Sequence, residues 1–514
     1  LALSAKEWLD ELERRFTADT REQWEDQKER PCDPRPRNQV LDTLWSYYAG
    51  DPPLPTVSAE FQDIFRDTMR KSRSNLAEMS VSAVVARMEL QSVATPTDKD
   101  ANGDDTANDI MENCGFQTRF KDIEIYKSVM GEAFGMVVAP REGAVDDLPT
   151  IHAIDPRVCV GIPDPENPVR LRAALIKEFD LETNSEIRHL FLPGKKWLIR
   201  KDQSGKWVEP QDDSPDEKIT GIDELGGIPI VRFLNPLGQG EYAAHLDLLD
   251  RIIDITLQLM VLMKFQAFKQ TAAIGDEDEE DEYDDENTDY GGEIDPQPLI
   301  GGNPNPQAKN WDDVFKAGPG AVWKLPAGWQ MWQGQATDAT GMIQAKRDAQ
   351  KEFAAVSHTP LYLISPDDAN GSAQGAGLLR EAITSKVRDR RVRDSPSVKL
   401  LWRIAFAMVN RKVKPADITL TWGPLEFKAL AEKGAATLQV NGILPTKKIY
   451  SEIWEWTPEE IVDALDALNA QKLQDAITAQ LTAPTPAPSS AAASDQGQPQ
   501  TDQQQPPDDS TAAA

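Results

Sequence analysis

The chain has 514 residues, with 55 Lys and Arg against 85 Asp and Glu, a formal net charge of −30 at pH 7. A balance this acidic excludes a protein that wraps nucleic acid by counterion release, because phosphate binding needs clustered Lys and Arg. Cys32, Cys114 and Cys159 are the only cysteines and form no C-x-x-C pair, so neither a disulfide framework nor a Cys-based zinc site is expected and a reducing compartment fits.

Residues 1–90 read mainly as helices, broken by PCDPRPRN and GDPPLP, where Pro removes backbone donors and fixes extended or turn geometry. The opening LALSAKEWLDELERRF places Trp8, Leu9, Leu12 and Phe16 on one helical stripe and carries acids throughout, unlike an export signal. LAEMSVSAVVARMEL predicts an amphipathic helix through Val81, Val84, Val85 and Met88, and Asp104 to about Val129 is helical again. GMVVAP, TIHAID, LRAALIKEFD, RHLFLP, KWLIRKD, KWVEP and IPIVRFLN then alternate apolar and polar residues between turn residues, the strand pattern. The fold class is therefore α+β, mainly helical.

A helix from about Glu241 to Gln270 follows, with apolar residues around much of its circumference; thirty residues make a rod of roughly 45 Å. It is too short in its apolar run, Ile255 to Met263, to cross a bilayer. A second helix is expected over 339–357, with Met342, Ile343, Ala349, Phe353 and Val356 as its stripe. Between them, DEDEEDEYDDENTDY (276–290) holds eleven acids and no base. After Pro360 a Gly-, Asp- and Ser-rich loop leads to a long helix from about Ala376, a strand ITLTWGPLEF, and two or three short helices, one starting at Thr457-Pro458-Glu459-Glu460. The tail after Thr482 lacks aromatic and branched aliphatic residues and is expected to stay disordered.

No P-loop, H-E-x-x-H or G-x-S-x-G pattern is present, and His152, His189, His245 and His358 are scattered as polar spacers or caps. Two partial motifs remain. Asp98, Asp100, Asn102 and Asp109 stand at EF-hand calcium spacing, against which a loop capping the following helix is the alternative. Gly238-Gln-Gly240-Glu-Tyr-Ala243 follows a strand like a dinucleotide turn, but Glu241 would face the pyrophosphate. The dense basic patch Lys386, Arg388, Arg390, Arg391 and Arg393 is interleaved with Asp389 and Asp394, so it reads as a contact between subunits or with DNA phosphates.

The order of LWSYYAGDPPLP, DIEIYKSVMGEAFGMVVAP, IHAIDPRVCVGIPDPENP, GGIPIVRFLNPLGQGEYAAHLDLLDRIIDITLQLM, FAAVSHTPLYLI, LLREAITSKVRDRR, ITLTWGPLEF and GILPTKKIYSEIWEW resembles the portal proteins of tailed bacteriophages, of the SPP1 type, over most of residues 35 to 470. The resemblance implies a non-enzymatic homo-oligomeric ring, usually of twelve subunits, at the capsid portal vertex of a virion assembled in the host cytoplasm. Its channel would pass double-stranded DNA. The terminase large subunit, a head-tail adaptor, and the major capsid and scaffolding proteins are the implied partners, with no membrane and no required cofactor.

Mapped by position, the resemblance implies an N-terminal arm and wing start (1–90), an α+β wing (91–237), a first stem helix (238–270), a clip (271–336) and a second stem helix (337–358). A tunnel loop (359–375), a long wing helix with a strand (376–430), a helical crown (431–481) and the tail (482–514) complete it. Asp367, Asp368, Asn370, Gly371, Ser372 and Gly375 would face DNA in the tunnel loop. Leu249, Ile252, Ile253, Leu257, Met260, Met263 and Phe353 would pack stems of neighbouring copies, while Asp276, Glu277, Asp278 and Trp323 would belong to the clip. A soluble nucleotide- or metal-dependent enzyme and an acidic scaffold or adaptor are the competing readings.

Overall fold

A computed structural model describes residues 3–18, 35–55, 59–96, 104–140, 147–267, 271–274, 330–333, 338–364, 373–425, 430–454, 456 and 458–482. Helix α1 (Ala5–Thr17) begins at a capping box in which Ser4 and Glu7 satisfy each other's backbone donors. Its Leu9, Leu12 and Phe16 are buried on a five-stranded antiparallel meander of β4 (Cys159–Pro163), β5 (Leu171–Asp180), β6 (Ser185–Leu192), β7 (Lys195–Ile199) and β8 (Glu217–Lys218). KWVEP contributes only an isolated bridge, Lys201 to Trp207, whereas CVGIP is a strand that the alternation did not single out.

Helices α2 (Arg37–Tyr48), α3 (Ala59–Ser72) and α4 (Leu76–Val85) follow. The α4 helix stops before Met88, and Leu90–Ala94 extends as β1, pairing antiparallel with β12 (Thr419–Trp422) more than 300 residues later. The expected single helix after Asp104 is two: α5 (Asp105–Cys114) and α6 (Phe116–Met130), divided where Gly115 turns into the left-handed region at φ 59°. A three-stranded antiparallel sheet comes next, β3 (Thr150–Ile154), β2 (Glu132–Val138) and β9 (Ile230–Leu234) in that spatial order.

The main core lies between this sheet, α5, α6 and the last part of a long helix, α9 (Ala373–Met408). Trp402, Phe116, Phe120, Phe233 and Phe406 are fully buried there, with the Phe116 and Trp402 rings 5.1 Å apart. A second core joins α2, α4 and the end of α6 to the base of α7 (Leu246–Ala267) and the end of α8 (Thr340–Val356). The α7 and α8 helices flank a short antiparallel pair, β10 (Thr271–Ile274) with β11 (Gln330–Gln333), so they run in opposite directions. An ion pair of Arg251 with Glu352 fixes their register.

The C-terminal part comprises α10 (Leu430–Val440), a helical turn at Thr446–Ile449, a π-helical turn at Tyr450–Trp454 and α11 (Pro458–Thr482). The last helix is 25 residues long, where the sequence suggested short helices. Residues 275–329, 365–372 and 483–514 lie outside the described residues, and with them the acid run, most of the tunnel-loop positions and the tail.

Candidate functional site

The Gly238–Ala243 turn is a packing device. A Cβ on Gly240 would sit 2.0 Å from the Val129 carbonyl oxygen, and a Cβ on Gly131 would sit 2.2 Å from the Gly238 carbonyl oxygen. Gly131 caps α6 at φ 87°, and the turn then satisfies the carbonyls left open at that helix end: the Glu241 N–H donates to Ser128 O at 2.7 Å and the Asn235 N–H to Gly131 O at 2.8 Å. Tyr242 is buried beneath and donates to Leu44 O at 2.6 Å. The glycines serve close backbone approach, a packing role rather than a phosphate cradle.

This turn delivers Glu241 to the middle of α9. Lys386 Nζ lies 2.7 Å from Glu241 Oε2, and Arg390 binds both carboxylate oxygens, at 2.8 and 3.2 Å. Burial alone would raise the Glu241 pKa; the two cations outweigh it and hold the carboxyl at about 2. Lys386 also donates to Ser357 O, just beyond α8, at 2.8 Å. One ammonium thus ties the root of α7, the end of α8 and the long helix together.

A second buried group adjoins the first. Lys127 on α6 is bonded to Glu124 at 2.6 Å and to Asp394 on α9, and all three side chains are buried. Burial and the nearby Asp394 charge push Glu124 up to about 8, with Lys127 opposing, and burial raises Asp394 against the same cation. Six ionisable groups, three acids and three bases, therefore clamp α6, the α7 root and α9.

Two of the five residues of the basic patch, Lys386 and Arg390, belong to this clamp. Besides Lys386 and Arg390, Arg391 donates to Gly423 O at 2.9 Å and to Arg87 O, and Arg393 pairs with Asp389 at 2.8 Å. Arg388 is exposed and has no ion-pair partner among the described residues. The patch joins elements of one chain, with Arg388 and Arg393 facing solvent.

The residues expected to pack a stem divide in two. Leu249, Ile252 and Phe353 are buried in one cluster with α2, α4 and Tyr242, and Ile253 and Leu257 are buried in the single chain too, so their cover is this chain and not, as expected, a neighbouring copy. The sequence could not show this because the α2 and α4 covers lie some 160 to 200 residues earlier. Past Leu257 the cover thins: Leu259, Met260, Val261 and Leu262 are half-buried and Met263 is 58% exposed, while Ile343 and Val356 stand exposed on α8.

Gly375, expected in the tunnel loop, lies in the first turn of α9; Asp367, Asp368, Asn370, Gly371 and Ser372 lie outside the described residues, as do Asp276, Glu277, Asp278 and Trp323. Of the calcium candidates, Asp98, Asp100 and Asn102 also lie outside, and Asp109 is exposed on α5. Asp104 caps α5 through the Ala107 N–H and takes both terminal nitrogens of Arg411, at 2.8 and 2.7 Å. Among the described residues no three His, Cys, Asp or Glu side chains are arranged to hold a metal, and no helix is long and apolar enough to cross a membrane.

Comparison with known proteins adds similarities of shape only. No protein-family model matches the chain, and no curated protein matches it. Among solved structures, the chain is similar to the neck of the native gene transfer agent (GTA) particle computed with C12 symmetry, at 13% identity and a TM-score of 0.42, covering 80% of this chain and 98% of that one. It is also similar to the virion of the native GTA particle (14%, 0.41) and to the neck of the empty GTA particle computed with C6 symmetry (14%, 0.42), with the same coverage. Likenesses this distant do not assign a function.

Proposed function

We propose that the chain is a portal-type subunit: a non-enzymatic ring component at one vertex of a phage-like capsid, surrounding a channel for double-stranded DNA. The observation that carries this reading is the antiparallel α7–α8 pair. Its base is locked into the chain by the ionic clamp, and its far end leaves Leu259 to Met263 and Ile343 incompletely covered. A rod anchored at one end and apolar at the other is what a closed ring of identical copies, in head-to-tail contact, would cover.

In this reading α7 and α8 form the stem, 271–336 the clip that receives the terminase large subunit and the adaptor, and 359–372 the loop facing DNA. Residues 430–482 form the crown, and the acid run, by repelling phosphate, keeps the clip from holding the duplex. The ring belongs to the virion, meets major capsid and scaffolding proteins at its wing, and calls for no cofactor. Negative-stain microscopy of the purified chain tests it: annular particles are expected, and a field of small compact particles contradicts it. Deleting 276–290 should abolish terminase or adaptor docking while the annulus persists; intact docking would remove the clip from that role.

A further inference from the structure

Among the described residues, the crown proposed above has two outward faces left uncovered. Helix α11 meets the rest of the module along Ile461, Leu465 and Leu468, which are buried or half-buried. At 3.6 residues per turn the opposite side carries Asp463, Asp466, Ala470, Leu473 and Ile477, spaced 3, 4, 3 and 4, the interval of a helix-packing seam. All five are exposed, Leu473 at 64% and Ile477 at 49%. Read from its N-terminal end, the stripe is acidic and then apolar.

The second face has the complementary order. In α10, Lys433 and Thr437 turn inward, toward Trp454: Lys433 Nζ donates to Trp454 O at 3.0 Å and Trp454 Nε1 to Thr437 Oγ1 at 2.9 Å. Ala431, Ala435 and Leu438 point the other way, with Leu438 78% and, in the following turn, Ile443 77% exposed. Lys447 and Lys448 come next, both exposed, Lys448 with only a 3.8 Å contact to Glu452. This surface is apolar and then basic, so it matches the α11 stripe when the two run antiparallel.

Within one chain the two faces are both solvent-facing and cannot cover each other. The 32 residues after Thr482 contain no Leu, Ile, Val, Met or aromatic side chain that could cover them. We propose that the outward stripe of α11 docks on the α10 surface of a second copy of this chain, Asp463 and Asp466 meeting Lys448 and Lys447, and Leu473 and Ile477 meeting Ile443 and Leu438. Because donor and acceptor faces differ, the contact is heterologous and propagates from copy to copy. It rests on the ring reading above and assigns that ring a crown contact separate from the stem.

The test is a cysteine pair, Ile443→Cys with Leu473→Cys, oxidised in the full chain, with the wild type and its three cysteines as control. The expected result is a ladder of covalent multimers on denaturing gels, absent from either single variant. Reversing Lys447 and Lys448 to Glu should weaken crown association by roughly fivefold, the size of two exposed ion pairs. Adding Asp463→Lys and Asp466→Lys should restore it. Annular particles without a ladder would overturn this contact and leave the ring reading standing. A ladder from small open oligomers would keep the contact and overturn the ring. A chain that stays monomeric overturns both.

Discussion

The core around Trp402 and the helices after Leu430 treat apolar surface in opposite ways. In the first, Trp402, Phe116, Phe120 and Phe233 are sealed by one chain, drawing on α5, α6, the three-stranded sheet and α9. In the second, Leu430, Leu438, Ile443, Leu473 and Ile477 stand in solvent, and α11 buries Ile461 alone among its described side chains. Most helical stability in a folded protein comes from packing one face rather than from propensity, and α11 packs little of its own. The first region seals its own core; the second, on the contact proposed above, is completed by another copy. The α7–α8 pair contains the boundary, sealed up to Leu257, half-buried over Leu259 to Leu262 and exposed at Met263.

That contrast breaks most visibly at the clamp. Lys127→Ala leaves Glu124 and Asp394 buried together without their cation and should cost about 3 to 5 kcal/mol in denaturant unfolding of the region around the Trp402 core. A loss below 1 kcal/mol would mean that the group is open to water. Gly240→Ala should follow, at about 1 to 3 kcal/mol, because its Cβ meets the Val129 carbonyl rather than a movable side chain. Tolerance of Ala there would show that the turn can lift off α6.

Stability against pH sharpens the comparison, since the described acids of α11 are exposed and those of the clamp are not. Glu241, and Glu132 on β2 between Arg37 and Arg232, are held at about 2 by their cations against their burial and bind fewer protons folded than unfolded. Their contribution is present above the ordinary value of 4.5 and is lost as pH falls from there toward 2. Glu124, raised to about 8, has the opposite sign: the folded state holds the extra proton, so stability declines as pH rises from 4.5 to 8. Glu124→Gln should flatten that decline with little loss of stability at neutral pH; an unchanged slope would assign it elsewhere. The smallest effect on the chain is expected at the open end. Met263→Asp should shift its unfolding by less than about 0.5 kcal/mol while reducing assembly. If assembly is unaffected, the far end of α7 is not a contact.

Legibility followed the range of the interactions. The helices over 340–356 and 5–17 and most of the sheet strands could be read from local periodicity, because each buries one face. Strand β1 could not: LQSVA pairs with residues 419–422, and nothing nearby in sequence marks it. The basic patch was visible, but its partner Glu241 was hidden in a glycine turn that looks like a phosphate loop. The lone Lys127 gave no signal, because Asp394 lies 267 residues away. Amphipathic spacing likewise identified Leu249 and Ile252 as covered positions, while leaving open whether the cover was this chain or another.

The central claim is that identical copies complete this chain, and its mass in solution tests that most directly. Native mass spectrometry of the full-length protein should give one dominant species at a fixed high multiple of the 57.0 kDa subunit, retained on dilution. A folded 57.0 kDa monomer at every concentration would contradict the account.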